Sequence, residues 1–226
     1  MSASPTIFAL STAPGRAAIA VIRISGPDAA VALRLLCGRV PPPRQAHLAQ
    51  LRHPASGEPL DQALVLYFAG PASETGEDIA ELQLHGGRAV VRAVLEALGG
   101  VPGCRPAEPG EFAHRAFING KLDLTAAEGL ADLIDAETEA QRRQAQLQAG
   151  GALAAMYDGW RDRLIEAQAL VEAAIDFSDE GDVGEDAYRG AGKIVRDISK
   201  GINAHLARAR QGERQTNQIA RLQGGD

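Results

Sequence analysis

The sequence is poor in lysine, and this shortage argues against one common form of nucleotide binding. Only three of the 226 residues are lysine, at Lys121, Lys193 and Lys200. None of them stands in a G-x-x-x-x-G-K-[ST] loop, whose backbone N–H groups cradle the phosphates of a nucleoside triphosphate. We therefore expect that this chain alone does not bind GTP or ATP in that way.

Cysteine and long apolar runs are also scarce. Cys37 and Cys104 lie far apart, without a second Cys or a nearby His at ligand spacing, so neither a disulfide framework nor a zinc site is indicated. We expect both to be small buried apolar residues. No apolar run reaches membrane length, and the first residues lack the charged-then-apolar pattern of a secretory signal. These absences predict a cytoplasmic protein without a membrane association.

The charge of the chain limits its contact with nucleic acid. The net charge is −6 and the pI is about 5.4. A broad basic surface for RNA is therefore not expected, and any RNA contact should be small or shared with a partner.

The first half of the sequence alternates between short apolar runs and helical patterns, which is typical of an α+β or α/β domain. Strands are predicted over residues 18–25, 62–69 and 77–84, and helices over residues 27–38 and 88–98. We expect the second helix to be closed by a left-handed glycine at Gly99-Gly100. This order predicts one sheet backed by helices.

The second half is helical. Thr125, followed three residues later by Glu128, predicts a capping box and a helix that continues until Gly150-Gly151. A second helix carries one apolar stripe that must be buried, formed by Leu153, Met156, Trp160, Leu164, Ala167, Val171 and Ala174. The acidic residues between 176 and 186 lack the spacing of a calcium loop and are expected to form a solvated loop, before a third helix over residues 194–206.

One predicted strand has a polar face. Between residues 80 and 85, Ala80, Leu82 and Leu84 alternate with Glu81, Gln83 and His85. For Glu81 the alternatives are a ligand contact and a solvated or cross-strand-paired carboxylate. His85 is either a turn residue with a supporting hydrogen bond or a general acid-base group, and the first is favoured. Gly86-Gly87 opens the next helix, whose free N–H groups would attract an anion, but the pair lacks the longer glycine fingerprint of a phosphate site.

Several long segments resemble a known family. These are STAPGRAAIAVIRISG, GEDIAELQLHGG, RPAEPGEFAHRAFINGKLDLTAAEGLADLIDA and VEAAIDFSDE. They are similar to the N-terminal and first helical parts of the bacterial tRNA modification GTPases called MnmE or TrmE, over residues 6–213. After ARQGER the chain departs from that pattern, and the GTPase domain, the C-terminal helices and the terminal cysteine motif do not follow. We therefore expect a truncated product or an engineered piece.

The resemblance implies a fold class and two domains. Residues 1–120 would be a folate-binding, dimerising α+β domain similar to the glycine-cleavage T-protein fold. Residues 121–226 would be part of an antiparallel α-helical domain.

The resemblance also implies a function. With a flavin-dependent partner protein, the family adds an aminomethyl-type group to the wobble uridine of tRNA. The implied cofactor is a tetrahydrofolate derivative in its 5-formyl or methylene form, and the implied assembly is a homodimer through the N-terminal domain, with tRNA in the full complex. Potassium and magnesium would be needed only with the GTPase domain. No catalytic residue and no metal ligand is predicted in this chain.

The family's folate-contacting positions fall on Arg23, Glu81 and Lys121. A reduced pterin presents two adjacent N–H donors, which a carboxylate such as Glu81 accepts as a fork. Arg23 and Lys121 would then face the formyl group or the glutamate carboxylates. Lys121 follows Asn119-Gly120, a turn-forming pair that would fix the direction of its ammonium group. The alternative for Arg23 is a structural ion pair with Glu81 or Asp78.

Two other functions compete with this one. The chain could be a non-catalytic assembly module that docks a partner through its helices, since an uncovered apolar stripe would associate with another protein. A stand-alone folate-dependent aminomethyl transferase has less support, because the sequence contains no second catalytic constellation. A folate titration would distinguish the folate-binding function from the assembly module.

Overall fold

The computed structural model describes residues 4–176 and 181–223, with side chains up to residue 176 and from 184 to 207. The chain divides into two compact units, Met1–Leu122 and Asp123–Asp226. The first unit contains a six-stranded sheet with helices, and the second contains helices. The fold is therefore mixed α+β.

The first unit is built on one sheet in the order β3-β4-β5-β2-β1-β6. All neighbouring strands are antiparallel except β1 and β6, which are parallel. The strands are β1 (Thr6–Leu10), β2 (Ile19–Ser25), β3 (His47–Arg52), β4 (Pro59–Phe68), β5 (Ile79–His85) and β6 (Cys104–Pro106). The helices of this unit are α1 (Ala29–Cys37), α2 (Arg88–Gly99) and α3 (Glu111–Ile118).

The predicted strands β2, β4 and β5 and the predicted helices α1 and α2 are confirmed to within a few residues. Strands β1, β3 and β6 and helix α3 were not predicted. The alternation of β3 is masked because Leu48, on its outward face, is an exposed apolar residue. Strand β6 has only three residues and ends in Pro106, so its pairing with β1 leaves no periodic pattern.

The predicted left-handed closure of α2 is wrong. Gly100 caps this helix with φ −83, in the right-handed region, and its N–H donates to the carbonyl oxygens of Glu96 and Ala97. A left-handed glycine instead closes α1, at Gly38 with φ 75.

The core of the first unit lies between the sheet and helices α1 and α2. The buried side chains include Ile22 and Ile24 of β2, Leu82 and Leu84 of β5, Leu33 and Leu36 of α1, and Val94 and Leu98 of α2. Each such side chain contributes about 1.5–3 kcal/mol by leaving water. Cys37 and Cys104 are free thiols that are half-buried against this core. Burial raises the pKa of the Cys37 thiol to about 12, which favours the neutral thiol over the thiolate.

The second unit contains α4 (Leu124–Ile134), α5 (Glu139–Ala149), α6 (Ala152–Asp176) and α7 (Gly181–Gln223). Leu170 of α6 meets Gly190 of α7, and Trp160 meets Gly201 and His205. Residues further along α7 therefore contact residues nearer the start of α6, which makes the two helices antiparallel. No helix within the described residues combines the length and the apolar character needed to cross a membrane.

The capping box predicted at Thr125 is wrong. Helix α4 is capped by Asp123, whose side chain accepts the N–H of Ala126 at 2.8 Å, and Thr125 lies inside the first turn. The capping box occurs at Thr138 and Gln141, at the start of α5. The helix predicted as one run up to residue 150 is therefore two helices.

The apolar stripe of α6 is only partly buried. Ala167 and Ala174 are buried and Trp160 packs against α7, but Leu164 is 48% exposed, so the described residues do not cover this part of the predicted stripe. The predicted acidic loop is also shorter than expected, because Glu185 and Asp186 lie within α7. Residues 177–180 of that loop lie outside the described residues.

Candidate functional site

A cavity of about 350 Å³ opens on the polar face of the sheet, a size at the lower end of the range for ligand pockets. Its wall is formed by strands β4 and β5 and by the segment between them. The chain after α3 and Arg44, which precedes β3, complete the wall. The lining residues are Arg44, Phe68, Ala72, Ser73, Glu74, Ile79, Glu81 and Lys121. Two of the three predicted site residues, Glu81 and Lys121, therefore line the same cavity.

Arg23, the third predicted residue, lies beside the cavity and holds its carboxylates. It is directly opposite Glu81 on adjacent antiparallel strands. Its Nε and Nη2 donate to Oε1 of Glu81 at 3.1 and 2.9 Å, and its Nη1 lies 2.7 Å from Oε2 of Glu74. The pairing with Glu81, left open by the sequence, is thus present. Oε2 of Glu81 accepts no hydrogen bond from any described residue, so part of this carboxylate remains available.

The predicted polar face of β5 is confirmed. Ala80, Leu82 and Leu84 are buried in the core, Glu81 and Gln83 are half-buried, and His85 is exposed. This arrangement follows from the two-residue period of the strand, which sends alternate side chains to opposite faces of the sheet.

Lys121 is positioned by the end of α3. Gly120 adopts φ 65, and the N–H of Lys121 returns to the carbonyl oxygen of Ala116 at 2.8 Å. Asn119 donates its side-chain N–H to the carbonyl oxygen of Thr75 at 2.7 Å. At Gly76, a Cβ atom would lie 2.9 Å from Cβ of Asn119 and 3.3 Å from Cε of Lys121, so only glycine leaves room there. The ammonium of Lys121 makes no ion pair with any described residue.

The segment between β4 and β5 is fixed by Asp78. The carboxylate of Asp78 accepts the Tyr67 hydroxyl at 2.7 Å and the N–H of Gly70 at 2.8 Å. Burial, and then the hydrogen bond to Asp78, raise the pKa of Tyr67 to about 12, so its hydroxyl stays protonated as a donor. The hydroxyl of Ser73 also donates to the carbonyl oxygen of Glu77. These bonds hold the cavity wall that carries Ser73 and Glu74.

A buried arginine ties α3 to the rest of the first unit. Arg115, with a side chain only 8% exposed, donates to Glu77 at 3.0 Å, to Glu111 at 2.9 Å and to the carbonyl oxygen of Pro5 at 2.8 Å. Arg105 donates to the same Glu111 carboxylate. The bonds from Arg105, and to a lesser extent those from the Glu108 N–H and from Arg115, lower the pKa of Glu111 to about 2. This network anchors α3, which ends three residues before Lys121.

His85 and the glycine pair lie outside the lining of this cavity. Nδ1 of His85 is 2.7 Å from a carboxylate oxygen of Asp61, and its backbone N–H donates to the other oxygen at 2.8 Å. His85 is therefore a hydrogen-bonded residue at the end of β5. A Cβ atom at Gly86 would lie 2.4 Å from the carbonyl oxygen of Ala17, so close backbone packing accounts for this glycine.

Six lining residues were not predicted from the sequence, and four of them carry polar or aromatic side chains: Arg44, Phe68, Ser73 and Glu74. Arg44 follows three prolines, and Ser73 and Glu74 lie in a segment with the composition of an ordinary turn. Of these four, only Phe68 could have been indicated by the sequence. It follows Leu66 by two residues in β4, and strand alternation therefore places both on the same face of the sheet. Within the described parts of the chain, no three His, Cys, Asp or Glu side chains are arranged to hold a metal ion.

Two family models match the chain. The model described as "GTP-binding protein TrmE N-terminus" matches residues 6–121, which is more than half of the sequence. The chain belongs to the TrmE (MnmE) family. The model described as "MnmE helical domain" matches residues 124–217. The two matches meet within two residues of the boundary between the structural units.

Individual MnmE relatives are similar over nearly all of this chain. A tRNA modification GTPase MnmE from Methylobacterium sp. (strain 4-46) is 59% identical over 211 residues, covering 92% of this chain and 48% of the relative. The mitochondrial 5-taurinomethyluridine-[tRNA] synthase subunit GTPB3 of Mus musculus is 56% identical over 213 residues, covering 93% of this chain and 43% of the relative. The chain thus spans about half the length of the curated relatives it matches.

Proposed function

We propose that this chain is the folate-binding and dimerising portion of a tRNA modification GTPase. The main observation in support is that Glu81 and Lys121 line one cavity. At the edge of this cavity, Arg23 donates hydrogen bonds to the Glu81 carboxylate. Residues 1–120 would form the folate-binding domain, similar to the glycine-cleavage T-protein fold, and residues 121–226 part of the helical domain. Membership in the MnmE family supports this assignment.

The chemistry of the three residues fits a reduced folate. Glu81 would accept the paired N–H donors of the pterin, for which its Oε2 is open. Arg23 fixes the orientation of this carboxylate. Lys121 would supply positive charge to the formyl group or the glutamate carboxylates. The bound form would be 5-formyl- or methylenetetrahydrofolate, which brings the one-carbon unit.

The function of the complete protein is part of the same proposal. Relatives named for tRNA modification and for 5-taurinomethyluridine synthesis support action on the wobble uridine of tRNA. We propose a cytoplasmic homodimer that joins through the N-terminal domain and works with a flavin-dependent partner protein. Potassium and magnesium would act only with a GTPase domain, because this sequence lacks the phosphate-binding loop.

The test is a calorimetric titration with 5-formyltetrahydrofolate. We expect Glu81→Ala to weaken binding by tenfold to a hundredfold or more, on the order of the 1.5–3 kcal/mol of a hydrogen bond to a charged group. Glu58→Ala is the control, because Glu58 lies in the exposed turn before β4, away from the cavity. Undiminished binding by Glu81→Ala would contradict the assignment of this cavity.

A second candidate is an assembly module that docks a partner through its helices. The observation that favours it is the set of exposed apolar side chains on α6 and α7, which includes Leu164, Ile165, Ile175, Val195 and Leu206. An uncovered surface of this kind associates with another protein. If the folded wild-type chain bound no 5-formyltetrahydrofolate in the titration, that result would favour this second function.

A further inference from the structure

We propose that Arg44 is a specificity-determining residue of the cavity, and that it binds the glutamate carboxylates of the folate. This inference rests on the proposed function, because it assigns the tail of the ligand whose head is assigned to Glu81. Arg44 lines the same cavity as Glu81 and Lys121. It comes from a different part of the chain, the connector between α1 and β3.

The first argument is the balance of charge around the cavity. Its two carboxylates, Glu74 and Glu81, both contact the single guanidinium of Arg23. The two cations of the wall, Arg44 and Lys121, make no ion pair with any described carboxylate. The wall therefore presents positive charge that the protein itself does not neutralise, which favours an anionic group on the ligand.

The second argument is the donor capacity of Arg44. Among the described residues, its guanidinium donates to one acceptor, the carbonyl oxygen of Ala72, and lies 5.7 Å from the ring centre of Phe68. A guanidinium has five N–H donors in a planar fork that matches a carboxylate. Several donors of Arg44 thus remain for a ligand, while the Phe68 ring and the Ala72 carbonyl hold the group at the cavity wall.

The third argument is the backbone of Arg44. Its φ is 62, in the left-handed region, and it is the one non-glycine residue with positive φ in the described chain. Its N–H donates to the carbonyl oxygen of Tyr67 at 2.8 Å, which fixes the connector against β4. Such a conformation costs on the order of 1 kcal/mol for a side chain other than glycine, and it is concentrated at ligand sites.

The position of Arg44 also separates it from Glu81. Arg44 stacks on Phe68, which pairs with Ile79, two residues before Glu81 on the adjacent strand. By strand geometry the Cα atoms of Phe68 and Glu81 lie roughly 8 Å apart. An elongated ligand with a donor head at Glu81 can therefore extend its anionic end toward Arg44. A folate has this form, with a pterin at one end and glutamate at the other.

The experiment is a cycle of two proteins and two ligands, measured by calorimetry. The ligands are 5-formyltetrahydrofolate and the primary amide of 5-formyltetrahydropteroate, which lacks the glutamate and ends in an uncharged benzamide. We expect the wild-type protein to bind the first about tenfold or more tightly than the second. Arg44→Gln should bind both ligands equally, with the affinity of the wild-type protein for the truncated ligand. Arg34→Gln, on the exposed side of α1, is the matched control and should keep the wild-type preference.

Other outcomes would overturn the proposal in distinguishable ways. If Arg44→Gln keeps the preference for the glutamate-bearing ligand, or if Lys121→Gln removes it instead, Arg44 does not bind the tail. If Arg44→Gln weakens both ligands by the same factor, Arg44 acts on another part of the ligand. These results leave the proposed function intact when Glu81→Ala still loses binding. If the wild-type protein binds neither ligand, the proposed function fails as well.

Discussion

At the scale of single residues, the exposure of an ion pair decides its contribution to stability. Glu111 and Glu139 both have a pKa lowered to about 2 by arginine neighbours. The side chain of Glu111 is 12% exposed and that of Glu139 is 57% exposed. Because water screens the exposed pairs, we expect only Glu111 to matter for the free energy of unfolding.

We predict that Glu111→Gln lowers the unfolding free energy of the first unit by roughly 2 kcal/mol at pH 7. The folded pKa of Glu111 lies below the ordinary value of 4.5, so its contribution is complete above pH 4.5 and is lost as the pH falls toward 2. The difference between wild type and variant should therefore shrink in acid. Amide hydrogen exchange in β2 and β5, measured at pH 7 and at several values between pH 4.5 and 3, reports it.

Glu139→Gln is the matched control for this prediction. It removes a carboxylate with the same lowered pKa from the exposed surface of α5, and it should cause a much smaller change at every pH. Equal effects of the two variants, or a Glu111 effect that grows in acid, would contradict the role given to the buried network.

At the scale of secondary-structure elements, local capping signals were ambiguous. Both Thr125 and Thr138 stand three residues before a side chain that can complete a capping box. In the structure Asp123 caps α4, while Thr138 and Gln141 form reciprocal bonds at α5, with Gln141 N–H to Thr138 Oγ1 at 3.2 Å and Thr138 N–H to Gln141 Oε1 at 2.8 Å. The start of α5 thus depends on Thr138.

We predict that Thr138→Ala lowers the unfolding free energy of the helical unit by about 1 kcal/mol, because it removes the acceptor for a free N–H of the first turn. Thr125→Ala should be nearly neutral, since Thr125 lies inside α4 and Asp123 supplies the cap. The fluorescence of Trp160, the single tryptophan, follows unfolding of this unit in urea. A larger loss from Thr125→Ala would show that the caps are misassigned.

At the scale of the whole molecule, the chain consists of one sheet-containing unit and one helical unit, and it spans about half of the relatives it matches. The proposed dimer predicts a mass in solution of about twice 23.7 kDa at micromolar concentration. Multi-angle light scattering, with and without 5-formyltetrahydrofolate, measures the mass. A mass of one chain under both conditions would contradict a homodimer, even if the ligand binds.

The sequence predicted the elements whose apolar residues repeat with a clear period. It missed the elements that form only because they pair with a neighbouring strand. Strand β5 and helix α2 were recognised because their apolar residues repeat with periods of two and of three to four. Strands β1 and β6 were missed because each is short and is fixed by its neighbour in the sheet. In the cavity, Glu81 was recognised from strand alternation and family resemblance. Arg44 lies in a proline-rich connector, where no local period indicates a direction.

The sequence by itself determined the family, and the resemblance to that family implied the α+β class. Side-chain alternation determined the face of β5 on which Glu81 stands. Only the tertiary structure decided which side chains share the cavity. Arg44, Glu74, Glu81 and Lys121 are separated by up to 77 positions in the chain and meet through strand pairing and the anchoring of α3. Contacts between distant segments leave no periodic pattern in the sequence. The balance of charge around the cavity could therefore be determined only from the folded chain.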